Sequence, residues 1–551
     1  MKAKVFIVSG VLLLSAATAF WALSKKTLDS HECFVSVTAR EMFEGGSWVL
    51  PTCNGQLRIN KTPLSYWLVA TSAKITGRVD EFTARLPSAV FAFLSAVAIL
   101  YFVNQWLGFR TAIVSTAVWA TSLAHIRQSH MARPDMVLMF FIMLCFFAFY
   151  SAFNAKTRRE QILYMLIFWI SFGLANLAKG PAPVPLVLIP LFSYIIVFRQ
   201  WRILPKLLPI VGLIILLLVV LPWPLAIAYK VNWDLSIWKR EFYDRLFGDY
   251  APGHFPVYYY LLIMFKFITP WVAFLPMALA APFYRIWDNK LPTMQFLWVW
   301  FVADLLFLTI DPCKRQHYIL PLMPAMAILI GILLEDMAFT QKAYTKKFAK
   351  IVLQSHFIVI TVGMIGASVY VARVNPQLVA SFAILSIITI VVVMVVSILF
   401  AAGRPALACA AGFTGILVWF MFCYASFAGL LDKDRPSRDF AEKIAQIIPQ
   451  SEKFVAYERV SSRFVQYFGR VVPEIQDKSA MYEQGDWIIV ISPYLDKLND
   501  AAQLRRVYYR QRSSDKGKED SGGALFHKSA PVVEASFDSK SKDRLTSTTR
   551  G

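Results

Sequence analysis

Charge is scarce in this chain. Asp, Glu, Lys and Arg make up 17% of its 551 residues, against roughly 25% in soluble domains. Hydrophobic residues make up 57%, and the mean hydropathy is +0.52. A water-soluble core cannot absorb that much Leu, Ile, Val and Phe, so a soluble globular protein is excluded. Acids are scarcer than bases, 35 against 56, for a net charge of +21. The excess lies in short segments between apolar runs and in the tail, which argues against nucleic acid as partner. Cysteine is rare at six residues, with no CxxC spacing to hold a metal. Cys145, Cys409 and Cys423 fall in apolar runs, while Cys33 and Cys53 are spaced so that a disulfide is an option. Also missing are internal repeats, a Walker motif and a GxGxxG loop, so no nucleotide site is visible.

What is present is a series of long apolar runs. A window of about 19 residues finds about thirteen of them. They lie near 5–23, 84–107, 111–127, 136–154, 161–178, 182–198, 207–229, 257–283, 291–310, 318–338, 351–372, 378–400 and 405–430. The first follows Lys2 and Lys4 and has a small-residue Ala17-Thr18-Ala19 pattern, as a signal peptide would. Its length suits a retained helix, and the alternation of charge requires it. With the N-terminus inside, the inside loops carry Arg110; Lys156, Arg158 and Arg159; Arg199, Arg202 and Lys206; Arg285 and Lys290; Lys342 to Lys350; and Arg404. All are basic, as the positive-inside rule expects.

The expected fold is therefore an α-helical polytopic membrane protein. A transmembrane domain spans 1–431, with large outside loops at 24–83 and 230–256. Within the first loop, 35–44 and 62–76 read as short amphipathic or interfacial helices. Past residue 431 the composition turns polar. Residues 437–448 read as an amphipathic helix, and 453–457 and 486–491 as strands. This predicts a small α/β domain over 432–510 and a disordered tail over 511–551.

Six outside segments carry residues that an apolar fold does not require. They are Asp29-Ser30-His31-Glu32; Arg58 to Lys61 before the second interfacial helix; Arg133-Pro134-Asp135; Lys179-Gly180-Pro181; Asp244-Arg245 with His254 and Tyr258 to Tyr260; and Lys314-Arg315-Gln316-His317-Tyr318. Each has an ordinary reading as a helix cap, a snorkelling lysine, a tight turn or an aromatic belt. The topology, however, puts all of them on one face. Arg grips phosphate oxygens in a fork and Lys acts as a point charge. Carboxylates or a histidine can take a proton from an incoming hydroxyl. Together these are the parts of a transfer from a lipid-phosphate donor, in which cations stabilise the departing phosphate.

At this point the chain resembles a known family, the GT-C membrane glycosyltransferases, and within them glycosyltransferase family 83. Those are aminoarabinose lipid A transferases, related to the dolichyl-phosphate-mannose protein mannosyltransferases. The resemblance rests on His31-Glu32 through Arg40-Glu41-Met42, Gly46 to Pro51, Lys61-Thr62-Pro63-Leu64 with Tyr66-Trp67, Ala84 to Ala89, Asp135, Lys179-Gly180, Leu221 to Pro224, Arg245 with His254, Pro256 and Tyr259, and Lys314 with Tyr318, Pro321 and Pro324. It implies a GT-C fold, an inverting transfer from an undecaprenyl-phosphate-type sugar, and an active site on the non-cytoplasmic side of the inner or plasma membrane. It implies donor-phosphate contacts by Lys61, Arg245 and Tyr318, with Lys179, Lys314, Arg315 and His254 nearby. The family's Asp-Glu pair becomes His31-Glu32 here, so the proton-accepting role is shared among His31, Glu32 and Asp135. The expected partners are the donor, membrane lipids and an acceptor that is a lipid A-like glycolipid, a glycan or a protein. No cofactor is expected, and Asn60, where the family often has an acid, gives a divalent metal no support. A secondary transporter would place ionisable groups near the midplane in related halves; here they collect at one boundary. A non-catalytic scaffold is the other alternative.

Overall fold

The computed structural model describes residues 2–233, 236–239, 255–374, 376–428, 432, 434–498, 504–511 and 522–528. It divides into two compact units, Met1–Asp432 and Lys433–Gly551.

The first unit is a helical assembly. Among the described residues, nine helices are long and apolar enough to cross a membrane, or eleven if each of two bent pairs is one crossing. The chain begins with α1 (Lys2–Phe20). Two helices of the first large loop follow, α2 (Ser30–Phe43) and α3 (Leu64–Thr76), with a two-stranded turn, β1 (Thr52–Cys53) and β2 (Gln56–Leu57), between them. Next come α4 (Glu81–Leu107), α5 (Phe109–Thr121), α6 (Leu123–Ser129), α7 (Asp135–Phe153), α8 (Arg158–Lys179) and α9 (Pro183–Val197). Beyond these lie α10 (Pro209–Val220), α11 (Pro222–Lys230), and further apolar helices at Leu291–Ile310, Met323–Glu335, Lys346–Val374, Val379–Ala401 and Pro405–Phe427.

Local chemistry sets the ends of these helices. Asp29 and Glu32 form a reciprocal capping box on α2, and Thr157 and Glu160 do the same on α8. The Asp80 carboxylate accepts the Thr83 N–H at the start of α4. Gly77 closes α3 at φ 81°, where a side chain would be strained.

About thirteen spans were expected, and four of those runs are broken, shortened or bent in the structure. The 111–127 run is broken at Ser122, whose extended backbone (ψ 144°) ends α5 and whose hydroxyl caps α6. The 182–198 run makes a 15-residue helix, α9. The 207–229 run is divided where Pro222 begins a new helix. The 257–283 run bends by 118° between Tyr259–Ile268 and Trp271–Phe283. An apolar window registers lipid compatibility but does not see a proline or a cap that redirects the axis.

The core is aromatic. Phe146 stacks on Trp300 with centroids 4.1 Å apart, and Tyr150 stacks on Phe296 at 4.6 Å. Between helices in lipid, close packing supplies the association energy, because lipid tails are as apolar as the side chains. Gly331 shows the tolerance: a Cβ there would lie 2.6 Å from the Ser115 Cα, so Met323–Glu335 meets α5 backbone to backbone.

Charges sort to the two ends of the assembly. At one end Lys4 lies over Phe109, Arg110 over Phe339, and Lys290 pairs with Glu335 at 2.6 Å. These come from the start of α1, the α4–α5 junction, the start of Leu291–Ile310 and the end of Met323–Glu335. The opposite ends of the same helices carry the candidate site.

The second unit holds a five-stranded sheet in the order β4 (Glu474–Ile475), β3 (Phe454–Tyr457), β5 (Trp487–Ile491), β7 (Gly523–His527), β6 (Arg505–Arg510). The first three are parallel, and β7 and β6 are antiparallel. Helix Arg435–Ile447 precedes the sheet. The strand Gly523–His527 corrects the expectation of a disordered tail from residue 511. It pairs along its whole length with Trp487–Ile491, so a tertiary partner orders five residues whose neighbours read as linker. Residues 529–551 lie outside the described residues.

Replacing Gly331 with Leu should force the two helices apart and destabilise the unit by about 1–3 kcal/mol. Detergent-phase thermal unfolding followed by size-exclusion fluorescence checks this; an unchanged midpoint would contradict the close approach.

Candidate functional site

A buried ion pair anchors the site. Arg85, on the first turns of α4, and Glu32, on the first turn of α2, are 1% and 3% exposed. Arg85 Nε donates to Glu32 Oε1 at 2.9 Å and Nη2 donates to Oε2 at 3.1 Å. The remaining guanidinium hydrogens go to the carbonyls of Leu23, Lys26 and Thr27. Glu32 also accepts the N–H of Ala132 at 2.8 Å and of Asp29 at 2.9 Å. A carboxylate has about four acceptor directions and a guanidinium five donors, and all are filled here. Every acceptor direction of the Glu32 carboxylate is occupied by these partners. With no lone pair left over, it positions the chain leaving α1, the start of α2 and the turn before α7.

The pair beside it closes the same turn. Asp29 Oδ2 accepts from Arg133 Nη2 at 2.5 Å. Burial would raise the Asp29 carboxyl, but the Arg133 charge and the Glu32 N–H outweigh it and hold the group below the usual carboxylate range. His31, exposed on the first turn of α2, lies in the field of Arg133, Asp29, Arg315 and Arg58. Partial desolvation and then the Arg133 charge draw its pKa below the ordinary histidine value, despite the opposing Asp29 carboxylate. Its imidazole is therefore neutral at pH 7, with a ring nitrogen able to accept a proton.

A third pair lies at the mouth of α7. Asp135 Oδ1 accepts from Lys179 Nζ at 2.5 Å, and His317 Nε2 is 3.8 Å from the same oxygen. Lys179 also lies over the Tyr318 ring, 4.6 Å from its centroid. Gly180 N–H donates to Thr62 Oγ1 at 3.2 Å, which joins the Lys179 turn to the Lys61 turn. Asp135, Lys179, His317 and Tyr318 thus belong to one neighbourhood, and the Thr62 bond brings the turn that holds Lys61 beside it. A carboxylate held by an ammonium ion is a weak base. Lys179, expected on the donor phosphate, has Asp135 as its own counter-ion.

The 311–318 turn is built by its own polar groups. Asp311 Oδ1 accepts the Cys313 N–H at 2.8 Å, and Tyr260 Oη accepts the Arg315 N–H at 3.2 Å. Lys314 is buried and Arg315 half-buried. Neither makes an ion pair within 4 Å among the described residues, and the same holds for Arg58, whose guanidinium lies 4.2 Å over the Phe34 ring and donates to Tyr66 Oη. Arg58 and Arg315 thus act on His31, beside the paired acids, with no carboxylate within 4 Å of either among the described residues, while Lys314 lies in the field of Asp311. Such a field favours an anion at this end.

Arg245 and His254 lie outside the described residues. Cys33 and Cys53 are separate thiols; Cys33 Sγ donates to the Leu28 carbonyl at 3.7 Å. Among the described residues no three His, Cys, Asp or Glu side chains converge as a metal site would need. Arg85 is the site residue that no sequence segment singled out. A buried arginine leaves no local signature, but its place one turn into a span, where Arg is costly, was a usable signal.

Several known proteins are similar to this chain. The dolichyl-phosphate-mannose-protein mannosyltransferase family matches residues 37–233. An uncharacterised protein of Aquifex aeolicus is 30% identical over 304 residues, 54% of this chain and 58% of that protein. An undecaprenyl phosphate-alpha-4-amino-4-deoxy-L-arabinose arabinosyl transferase of Pseudomonas aeruginosa (strain PAO1) is 28% identical over 298 residues, 53% of each. In sequence the chain thus spans a little over half the length of these relatives. In structure, ArnT from Cupriavidus metallidurans bound to undecaprenyl phosphate superposes with a TM-score of 0.81 at 18% identity, covering 96% of this chain and 98% of that one. The oligosaccharyltransferase AglB from Archaeoglobus fulgidus superposes at 0.53 and 10% identity, covering 89% and 70%. The fold is that of the GT-C membrane glycosyltransferases.

Removing Arg85 should leave Glu32 buried and uncompensated, at a cost of about 3–5 kcal/mol. Arg85→Met should sharply lower the unfolding midpoint, and Glu32→Leu in the same chain should recover much of it. Equal midpoints for the single and double variants would contradict the pairing.

Proposed function

We propose that this protein is a GT-C glycosyltransferase that moves a sugar from a polyprenyl-phosphate donor, of the undecaprenyl-phosphate type, to a hydroxyl acceptor. The single observation that carries this reading is the charge arrangement at one end of the helices. Asp135–Lys179, Asp29–Arg133 and Glu32–Arg85 neutralise one another, and Arg58 and Arg315 act beside them with no carboxylate within 4 Å among the described residues. The similarity to an arabinosyl transferase named for undecaprenyl phosphate, and to a structure with that lipid bound, supports the same donor.

In this reading Lys61, Arg245 and Tyr318 hold the donor phosphate. Lys314 and Arg315 add positive charge as the sugar–oxygen bond breaks and the phosphate gains its negative charge. Lys179 acts mainly through Asp135. The incoming hydroxyl attacks the anomeric carbon and gives its proton to the free imidazole nitrogen of His31, with inversion. Asp29 and Arg133 orient and tune His31. A lipid A-like glycolipid, a surface glycan or a protein hydroxyl would each supply the acceptor oxygen. The positive-inside pattern puts the opposite end of the helices, with Lys4, Arg110 and Lys290, at the cytoplasm. The active site then faces the non-cytoplasmic side of the inner or plasma membrane.

Two measurements test the reading. Lys61→Ala and Tyr318→Phe should each lower transfer from undecaprenyl-phosphate sugar by about 100-fold, in proportion to lost charge-assisted and hydroxyl contacts, with folding intact. Full activity in both would remove the donor-phosphate assignment. The second measurement is the pH profile. His31 stays neutral to a pH below about 6.5, the ordinary histidine value, so activity should hold through neutral pH and fall only below that point. His31→Gln should abolish this acid limb along with most of the activity; an unchanged limb would assign it to another group.

A further inference from the structure

A second pair of cations stands beside the site. Arg127, on α6, and Lys266, on Tyr259–Ile268, both donate to one acceptor, the Gln316 Oε1, each at 3.3 Å. The amide oxygen is neutral, and no carboxylate lies within 4 Å of either cation among the described residues. Two like charges converging on one dipole repel, and an amide offsets that repulsion only in part. The arrangement is nevertheless held in place, because the Arg127 guanidinium lies over the Phe267 ring at 5.8 Å. Lys266 is exposed and Arg127 half-buried, so both remain reachable from outside.

Two further observations say what kind of anion fits. Gln316 is flanked by Arg315 and His317, and His317 is 3.8 Å from Asp135, so the pair borders the reaction site. Leu262 precedes Lys266 by one helical turn on the same face and is 56% exposed. A cation with an exposed leucine one turn away suits an amphiphile, with its anionic head on the lysine and its chain along the apolar face. The donor phosphate already has Lys61 and Tyr318 across the Thr62–Gly180 link.

We propose that Arg127, Lys266 and Gln316 form a second anion subsite that grips a phosphate on the headgroup of a lipid-borne acceptor and so sets its hydroxyl against the donor. The inference rests on the glycosyltransferase reading for its placement.

Binding of full-length protein in detergent tests it with four probes: a diacyl glucosamine 1-phosphate, the same glycolipid without phosphate, undecaprenyl phosphate, and phosphatidylglycerol. Arg127→Gln with Lys266→Gln should weaken the phosphorylated glycolipid at least about tenfold, as loss of two charge-assisted contacts requires. The unphosphorylated glycolipid and undecaprenyl phosphate should be unaffected. Lys266→Glu alone, at an exposed position, should give a loss of the same sign and serves if the double variant folds poorly. Wild-type affinity in these variants overturns the subsite. So does a parallel loss of undecaprenyl phosphate, which would assign both cations to the donor. Equal binding and equal loss of phosphatidylglycerol overturns it too, by reducing the pair to a general lipid anchor. A wild-type protein that ignores undecaprenyl phosphate but binds the phosphorylated glycolipid through this pair would count against the proposed donor and not against the subsite.

Discussion

The site depends on one buried ion pair. Glu32 and Arg85 exclude water almost completely and satisfy every hydrogen-bonding direction they have. Through those bonds four pieces of chain are tied at one point: the exit of α1, the start of α2, the first turns of α4 and the turn before α7. Such a pair is weak evidence for added stability, because desolvation cancels much of the attraction. Its value here is geometric. It fixes where Asp29, His31, Arg133 and Asp135 begin, all within a few residues of the four tied segments.

Around that point the electrostatics follow one pattern. Two of the acids are each held by a cation: Asp29 by Arg133, and Asp135 by Lys179. The cations beyond those pairs therefore keep their field. The same pairing separates roles among the titratable groups. Asp29 is held in its charged form, while His31, one and a half ångströms of helix rise from Ser30 and under the influence of Arg133, is held neutral. A neutral imidazole among cations can take a proton; the acids beside it cannot do so readily. In the proposed reading His31 is the proton acceptor for this reason.

Much of this was legible in the sequence. The apolar runs marked the helices of the first unit, because lipid solvation acts on composition alone. The clusters at Lys179 and at Lys314 to Tyr318 stood out because basic residues between spans on that side have no topological reason to exist. The breaks at Ser122 and between Ile268 and Trp271 were not legible, since they change the direction of a helix without changing its hydropathy. Strand Gly523–His527 was also hidden, because its five residues gain order only from pairing with Trp487–Ile491.

By itself the sequence determined that the chain is a many-helix membrane protein, which end of each helix is basic, and which polar residues are out of place. Only the tertiary structure decided which of those residues meet. Glu32 and Arg85 are 53 positions apart, and Asp135 and Lys179 are 44 apart. Charge attraction acts through space across a few ångströms, and no local pattern records which distant partner the packed helices will bring within that reach.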